Sequence, residues 1–321
     1  MRLAGPCLIV LAIAALAGGC AHERSNEDRP VTLALGTATA GGGFEVYARA
    51  LAQTLQAIDP TLTLKLQPTE GSAQNVPLLE SGRLDLALVQ GATAHEALTR
   101  AGSGLRIIAA MYATPGLFVV RRDSPYRTVA DLKGKRVVFG AAGSGLVVQA
   151  RYTLDALGLD MRRDFDAVLL ERAADGPGAV LDGSAAALWG GGLGWPGFAQ
   201  VAAGPAGARF IGLGAEQVAQ VHARYPILQP MSLPAGAYAG QDRPVPTVGT
   251  WSFILSRPGL PDDVANRLAR DLHRGEGDLG RRLPQARDTT AANTLLAAPQ
   301  ADVIHPGVMR YLKQIGMVRE R

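Results

Sequence analysis

The sequence predicts an α/β protein with mostly parallel sheets that helices cover on both faces. Short, nearly continuous apolar segments alternate with amphipathic segments along most of the chain. Uninterrupted apolar strands of this kind are typical of parallel sheets that are buried on both faces. The chain has 321 residues, of which 47% are hydrophobic and 19% are charged. This length accommodates about two domains, each with a core of its own.

The first part of the chain after residue 30 predicts four strands with helices between them. We predict strands at residues 31–35, 62–66, 84–89 and 105–111, and helices at 48–58, 73–80 and 93–100. Strands that alternate with helices in this way form a mostly parallel sheet.

The pattern changes at Pro115-Gly116 and then begins again. A strand at 117–120 is followed by a polar stretch at 121–125 that ends it. Further strands are predicted at 136–139, 167–170, 185–189, 209–211 and 248–255, helices at 146–157, 178–181, 198–203 and 262–273, and a loop at 233–238. The sequence thus predicts two similar α/β units and a third segment that packs on this body.

The amino-terminal residues are typical of a secretory signal that ends at a lipid-modified cysteine. Arg2 supplies a positive charge, and the apolar run at 7–16 is too short to span a membrane. The small residues before Cys20 resemble a bacterial lipobox, although the large residue lies four positions before Cys20 rather than three. We expect a signal peptide at 1–19, lipidation of Cys20 and a polar tether at 20–30. The alternative is ordinary cleavage that leaves a free thiol. Two acyl chains hold a protein stably on a membrane, so we expect an anchored protein in the periplasm or at the cell surface.

The charge distribution argues against a nucleic-acid partner, and the cysteine content argues against an intrachain disulfide. The formal net charge is +4, but Lys and Arg are scattered and no basic run is longer than two residues. Aromatic residues are not interleaved with them, so a nucleic-acid partner is not predicted. Cys7 leaves with the signal peptide, which removes any intrachain disulfide from the mature chain.

The sequence contains none of the common catalytic motifs. A phosphate-binding loop with its lysine, an H-E-x-x-H motif and a G-x-S-x-G motif are all absent. The five histidines are isolated, and no two stand at metal-ligand spacing. Ser144 and His305 are the only candidate catalytic pair, and His305 fits better as a residue at the start of a helix. We therefore predict a protein that is not an enzyme and that binds neither a metal nor another cofactor.

Glycine-rich turns at 36–44 and 140–145 each follow a predicted strand and precede a helix, and 69–75 opens a third helix. Such turns place free backbone N–H groups and the positive end of a helix dipole at an open site. Each turn taken alone fits a plain helix cap better than a binding site. Two facing turns would form a clamp for a carboxylate or a phosphate. In the loop at 192–197, Trp195 either lines a cavity or packs on a lobe surface.

Several motifs occur in the order that is found in one family of binding proteins. They are Gly36-Thr37 through Gly43-Phe44, Gly71-Ser72-Ala73-Gln74-Asn75, residues 81–87 followed by Gln90, residues 131–137, Gly143-Ser144-Gly145, Tyr225-Pro226, Pro234-Ala235-Gly236-Ala237-Tyr238 and His305-Pro306-Gly307. Over residues 31–316 the chain resembles the TAXI-type solute-binding proteins of tripartite ATP-independent periplasmic (TRAP) transporters.

This resemblance implies a type II periplasmic-binding-protein fold, in which crossing strands join two α/β lobes and the ligand lies in the cleft between them. Residues 31–118 and 244–321 would form lobe I, and residues 119–243 lobe II. The implied function is to capture a small organic anion, a dicarboxylate or an amino acid such as glutamate, by lobe closure and to deliver it to a TRAP-type permease. The alternative is a subunit that presents ligand to a sensor kinase or to an ATP-driven importer.

The resemblance also proposes the ligand-binding residues. They are Gly42, Gly43, Phe44, Tyr47, Ser72, Asn75 and Gln90 in lobe I, Gly143, Ser144 and Gly145 in lobe II, and Trp195 and Tyr238 near the rim. The chain departs from the family where an aromatic pair is replaced by Phe44-Glu45, and where Ser184-Ala185 stands in place of an acid. A carboxylate of Glu45 at the mouth of an anion clamp would favour a zwitterion or a less charged ligand.

Overall fold

The computed structural model describes residues 29–319. The predicted signal peptide at 1–19, the lipidation site Cys20 and most of the tether at 20–30 lie outside these residues. The strands are β1 (Val31–Gly36), β2 (Leu62–Gln67), β3 (Leu86–Val89), β4 (Arg106–Arg121), β5 (Arg136–Ala141), β6 (Asp166–Leu170), β7 (Ala187–Gly191), β8 (Ala208–Ile211), β9 (Gln229–Leu233) and β10 (Val245–Ser256). The helices are α1 (Gly43–Ile58), α2 (Ser72–Glu80), α3 (Gly91–Thr99), α4 (Gly145–Ala156), α5 (Gly176–Leu181), α6 (Pro196–Ala202), α7 (Ala215–Arg224), α8 (Asp262–Arg282), α9 (Ala291–Ala297) and α10 (Pro306–Gln314).

The strands form one mixed sheet in the order β2-β1-β3-β10-β4-β7-β5-β6, with β9 on β10 and β8 on β4. Two parallel triplets, β2-β1-β3 and β6-β5-β7, lie at its ends. The long strands β4 and β10 run antiparallel to each other and to their neighbours, and they join the triplets. The parallel pairing inferred from the sequence therefore holds within each triplet, while the two joining strands make the whole sheet mixed.

Strand β4 is continuous through Pro115-Gly116, where the sequence predicted a break between strands at 105–111 and 117–120. Its first part, up to Pro115, pairs with β10, and from Gly116 onward it pairs with β7 and β8. Proline cannot donate to a ladder, but here it stands where the strand changes partner. The Pro-Gly pair thus marks the passage from one lobe to the other.

Helices cover both faces of each triplet, as predicted. On the first triplet, α1, α8 and α10 bury Leu51, Leu268 and Leu312 on one face, while α2 and α3 cover the other. On the second triplet, α4 and α7 pack on one face and α5 and α6 on the other. The segment after β10 therefore returns to the first lobe. The boundaries at 31–118, 119–243 and 244–321 stay a prediction.

Some elements are longer than predicted or were not predicted at all. Helix α1 begins at Gly43 rather than at residue 48, and α8 continues to Arg282 rather than ending at 273. The added part of α8 contains Gly275, where a side chain would meet Ile58 of α1, so this glycine permits close helix packing. Helices α7 and α9 and strand β9 were not predicted; each is short and has one fully buried residue, Val221, Thr294 and Leu233 respectively, so its apolar pattern is weak. Within residues 29–319, none of the helices combines enough length and apolarity to cross a membrane.

A buried ion pair fastens the amino-terminal end of the described chain to the first lobe. The Arg267 guanidinium on α8 donates to the Asp59 carboxylate at 2.6 Å and to the carbonyl of Arg29 at 2.7 Å. The Arg267 side chain is 4% exposed. The hydrogen bond from Arg267 holds the pKa of Asp59 well below its usual value, and bonds from Thr61 lower it further.

We predict that Arg267→Met lowers the free energy of unfolding by about 3 kcal/mol at pH 7, since it removes the shortest ion-pair partner of the largely buried Asp59 carboxylate, which keeps only Arg270 at 4.0 Å and the Thr61 donors. Because the pKa of Asp59 is depressed in the folded state, the contribution of the pair is complete above the unfolded pKa of about 3.9 and declines at lower pH. Urea unfolding should therefore show a smaller difference from the wild type at pH 3 than at pH 7. In the control, Arg281→Met, whose side chain is 75% exposed, the change should stay within about 0.5 kcal/mol. An equally small change in Arg267→Met would contradict this account.

Candidate functional site

A cavity of about 680 Å³, including its mouth, lies between the lobes and is lined from both of them. It lies at the carboxyl ends of the parallel strands, where the turns into α1, α2 and α4 converge. This edge is the usual ligand position in α/β sheets. Eight of the twelve predicted ligand-binding residues line it: Gly42, Gly43, Phe44, Ser72, Gln90, Ser144, Gly145 and Trp195.

The first lobe contributes the starts of α1 and α2. Gly42 caps α1 in an extended conformation and offers no side chain to the first turn. The amides of Gly43 and Phe44 have no hydrogen-bond acceptor among the described residues. Gly71 caps α2 with φ of 115°, a conformation that requires glycine. These helix starts leave donors and positive dipole ends at the cavity.

The second lobe contributes the start of α4. The Ser144 hydroxyl accepts a hydrogen bond from the amide of Leu146 at 3.2 Å, as a helix cap does. The amide of Gly145 finds no acceptor within residues 29–319. Three helix N-termini therefore meet at one cavity, two from the first lobe and one from the second.

The lobes touch each other around the cavity, so the cleft is closed. The amide of Ala73 donates to the carbonyl of Gly143 at 3.1 Å. The side chains of Gln90 and Gln149 are hydrogen-bonded at 2.5 Å, and Gln90 also donates to the Thr250 hydroxyl. At a second contact between the lobes, the amide of Ala174 donates to the carbonyl of Ala40. The two helix starts that the sequence placed on facing turns are thus brought together.

Aromatic rings form much of the cavity wall. Phe44 and Tyr112 come from the first lobe, and Phe139, Trp189 and Trp195 from the second. The Trp195 indole lies against the backbone of its own turn and within 3.3 Å of the position that a Cβ of Gly43 would take. Trp195 therefore lines the cavity and crosses to the other lobe, which decides between the two placements that its sequence allowed.

Tyr112 supplies a polar group that the sequence analysis missed. It is 3% exposed, and its hydroxyl has no hydrogen-bond partner among the described residues. Burial raises its pKa far above the usual value, so the phenol stays a neutral donor at physiological pH. Thr114 and Ser252 also line the cavity, where their hydroxyls lie 3.1 Å apart. All three side chains belong to the crossing strands β4 and β10. In the sequence, each could have been noticed only as a residue with a hydroxyl group within an otherwise apolar strand.

Four of the predicted residues do not line the cavity. Tyr47 is fully buried and hydrogen-bonds to Thr289 at 3.0 Å. The Asn75 amide donates to the carbonyls of Thr37 and Leu88, so it ties two strand ends together. Gly143 is used in the contact between the lobes, as described above.

Tyr238 is the fourth of these residues, and it acts on the turn that carries Trp195. Its hydroxyl accepts from the Trp195 amide at 2.9 Å and donates to the carbonyl of Gly192 at 2.8 Å. These residues shape the turns and are placed to position the lining residues rather than to touch a ligand.

Glu45 stands elsewhere than expected, whereas His305 stands at the start of a helix, as predicted. Glu45 does not line the cavity: its carboxylate accepts from the Gly41 amide at 2.9 Å and pairs with Arg49 at 3.0 Å. The acid at the cavity is Glu70, which is exposed. His305 caps α10 through Nδ1, and its Nε2 bonds the carbonyl of Leu260, so it does not pair with Ser144. No group of three or more His, Cys, Asp or Glu that could hold a metal ion occurs in the described part of the chain.

Comparison with known proteins supports this architecture. A family model described as the NMT1-like family matches residues 35–316. The periplasmic binding protein BugD superposes with a TM-score of 0.57 at 14% identity, over 91% of this chain and 99% of that one. A TctC solute-binding protein from Polaromonas gives 0.51 at 17% identity, over 90% and 99%. A protein from Bordetella bronchiseptica RB50 gives 0.54 at 13% identity, over 88% and 98%. The chain therefore has the two-lobed α/β fold of periplasmic binding proteins.

We predict that Gly145→Ala opens the cleft without unfolding the protein. The backbone there suits alanine, but the new Cβ would lie 2.5 Å from Cβ of Gln90 and 2.9 Å from the Ser72 hydroxyl of the opposite lobe. With a carboxylate that the wild type binds present at saturation, small-angle X-ray scattering should give a larger radius of gyration for the variant than for the wild type. Gly178→Ala is the control: its Cβ meets no atom within 4 Å, so the shape should not change. An unchanged shape in Gly145→Ala would contradict the closure contacts described above.

Proposed function

Because this chain belongs to the NMT1-like family, we propose that it is an extracytoplasmic solute-binding protein that captures a small organic anion by closing its lobes. One observation carries the proposal: unpaired amides at the starts of α1 and α4 and the unpaired Tyr112 hydroxyl face one closed cavity from two lobes. Backbone donors at helix N-termini suit an anionic group and need no cationic side chain. In a cavity shielded from water, each charge-assisted hydrogen bond contributes about 1.5–3 kcal/mol.

Lobe closure is the mechanism that this arrangement supports. Strands β4 and β10 are the long strands that join the lobes. A ligand that accepts hydrogen bonds from α1 in one lobe and α4 in the other binds the closed form better than the open one. It therefore shifts the population toward the closed form by the difference in its affinity for the two.

We extend the proposal to the partner and the location. The motifs from Gly36 to His305 resemble those of TAXI-type proteins, which supports delivery of the ligand to a TRAP-type permease. The small residues before Cys20 support an anchor of two acyl chains on that cysteine, which would keep the protein at the membrane that holds the permease.

We predict that Tyr112→Phe weakens binding of small carboxylates at least about tenfold, because it removes a donor worth roughly 1.5 kcal/mol or more to a charged group. Its unfolding free energy should be nearly unchanged, since the hydroxyl has no partner in the folded protein. Tyr47→Phe is the matched control. The ring centroids of Tyr47 and Tyr112 lie 5.6 Å apart, but the Tyr47 hydroxyl bonds Thr289 behind the cavity wall. That variant should lose about 1 kcal/mol of stability and keep its affinity. Calorimetric titration with a panel of carboxylates measures the affinities of the two variants, and urea unfolding measures their stabilities. Equal affinities in Tyr112→Phe and Tyr47→Phe would argue against the site.

We predict that a chain that begins at residue 20 and carries Cys20→Ser, which has neither the signal peptide nor the acyl chains, is recovered in the soluble fraction, and that it supports uptake when added to proteoliposomes holding its permease. Uptake should proceed on an ion gradient without ATP, as expected for a TRAP-type partner. A requirement for ATP would exclude that partner, and sedimentation of Cys20→Ser with membranes would exclude the anchor.

A further inference from the structure

The ionisable groups at the cavity restrict the ligand that it can take. Of the residues in the described range that line it, none is Lys, Arg or His, and Glu70 is the one ionisable acid or base besides the neutral phenol of Tyr112. Glu70 is exposed, and its carboxylate forms no hydrogen bond or ion pair with another described residue. A first carboxylate can be stabilised by the helix N-termini. A second would be buried with no cation, at a large desolvation cost.

The unpaired polar groups that border the cavity are hydrogen-bond donors without a formal charge. The Tyr112 hydroxyl, which borders the cavity, has no partner among the described residues. The Thr93 hydroxyl is also buried without a partner, but Thr93 does not line the cavity. The amides of Gly43 and Gly145 complete the set. This set suits the two oxygens of one carboxylate approached from both lobes.

Much of the remaining wall is apolar or aromatic. Phe139, Leu146 and Trp189 of the second lobe face Phe44 and Tyr112 of the first. Aromatic and aliphatic walls stabilise apolar surface and offer nothing to a charged terminus.

We infer that the cavity takes a ligand with a single carboxylate and an apolar remainder, and that it discriminates against dicarboxylates. This inference rests on the proposed capture of an organic anion and narrows its ligand class. The carboxylate is bound at the starts of α1 and α4 and at the Tyr112 hydroxyl, while the apolar part lies among the rings. Glu70, at the mouth, repels a second negative end.

Calorimetric titration with pentanoate, 3-phenylpropanoate and glutarate at pH 7 tests the inference. Pentanoate and glutarate have five carbons each and differ by one carboxylate. The Cys20→Ser chain would be unfolded in guanidinium and refolded first, so that bound host molecules are removed. We expect pentanoate or 3-phenylpropanoate to bind at least tenfold more tightly than glutarate. In Glu70→Lys, the ratio of affinities should move severalfold toward glutarate. In Glu216→Lys, which makes the same charge change at an exposed residue of α7 outside the cavity, it should not move.

The possible outcomes separate this inference from the proposed function. Tighter or equal binding of glutarate by the wild-type cavity would overturn the single-carboxylate ligand and leave anion capture standing. An unchanged ratio in Glu70→Lys would overturn the role of Glu70. If none of the three compounds binds while thermal unfolding shows an intact, cooperative fold, both the inference and the capture of small carboxylates fail.

Discussion

Backbone amides in the first turn of a helix have no acceptor within that helix, and the arrangement of this protein follows from where those amides are placed. Three helices begin at one cavity, and glycine stands at or next to each start: Gly43, Gly71 and Gly145. The absence of a side chain lets the other lobe approach to contact distance, as at Gly145 against Gln90. The same choice of residue therefore leaves the donors uncovered and permits the cleft to close.

The crossing strands give this closed arrangement its geometry. Strand β4 changes partner at Pro115-Gly116, so one strand belongs to the sheets of both lobes. Polar side chains on and beside these strands, among them Thr114, Ser252 and Gln149, satisfy one another in an otherwise apolar interior. Buried polar groups that are fully paired favour one arrangement over others. The lobes are thus held in register by hydrogen bonds that a purely apolar junction would lack.

Much of the fold could be predicted from the sequence, because strand and helix periodicity are local properties. Most predicted strands and helices of both triplets lie within a few residues of their observed bounds. The continuity of β4 could not be predicted, since Pro115-Gly116 is a local break whose meaning depends on the strands beside it. The glycine turns at α1, α2 and α4 were found because the turn itself requires glycine.

Other site residues depend on contacts between distant parts of the chain. Tyr112 reaches the cavity only through the pairing of β4 with β10, so no local pattern identified it. Conversely, Tyr47, Asn75 and Tyr238 belong to motifs of the turns, and the two hydroxyls and the Asn75 amide nitrogen bind neighbouring backbone or core groups. Motif membership therefore indicated the right turns, but it did not separate the side chains that shape a turn from those that face the cavity.

The bond between Arg267 and the carbonyl of Arg29 has a mechanical consequence. Tension that arrives through the amino-terminal segment enters α8 and the first lobe, and it bypasses the seam at Gln90 and Gly143 where the lobes meet. A molecule held by the proposed anchor at Cys20 would therefore take its load on the first lobe. The contacts between the lobes would lie outside that load path.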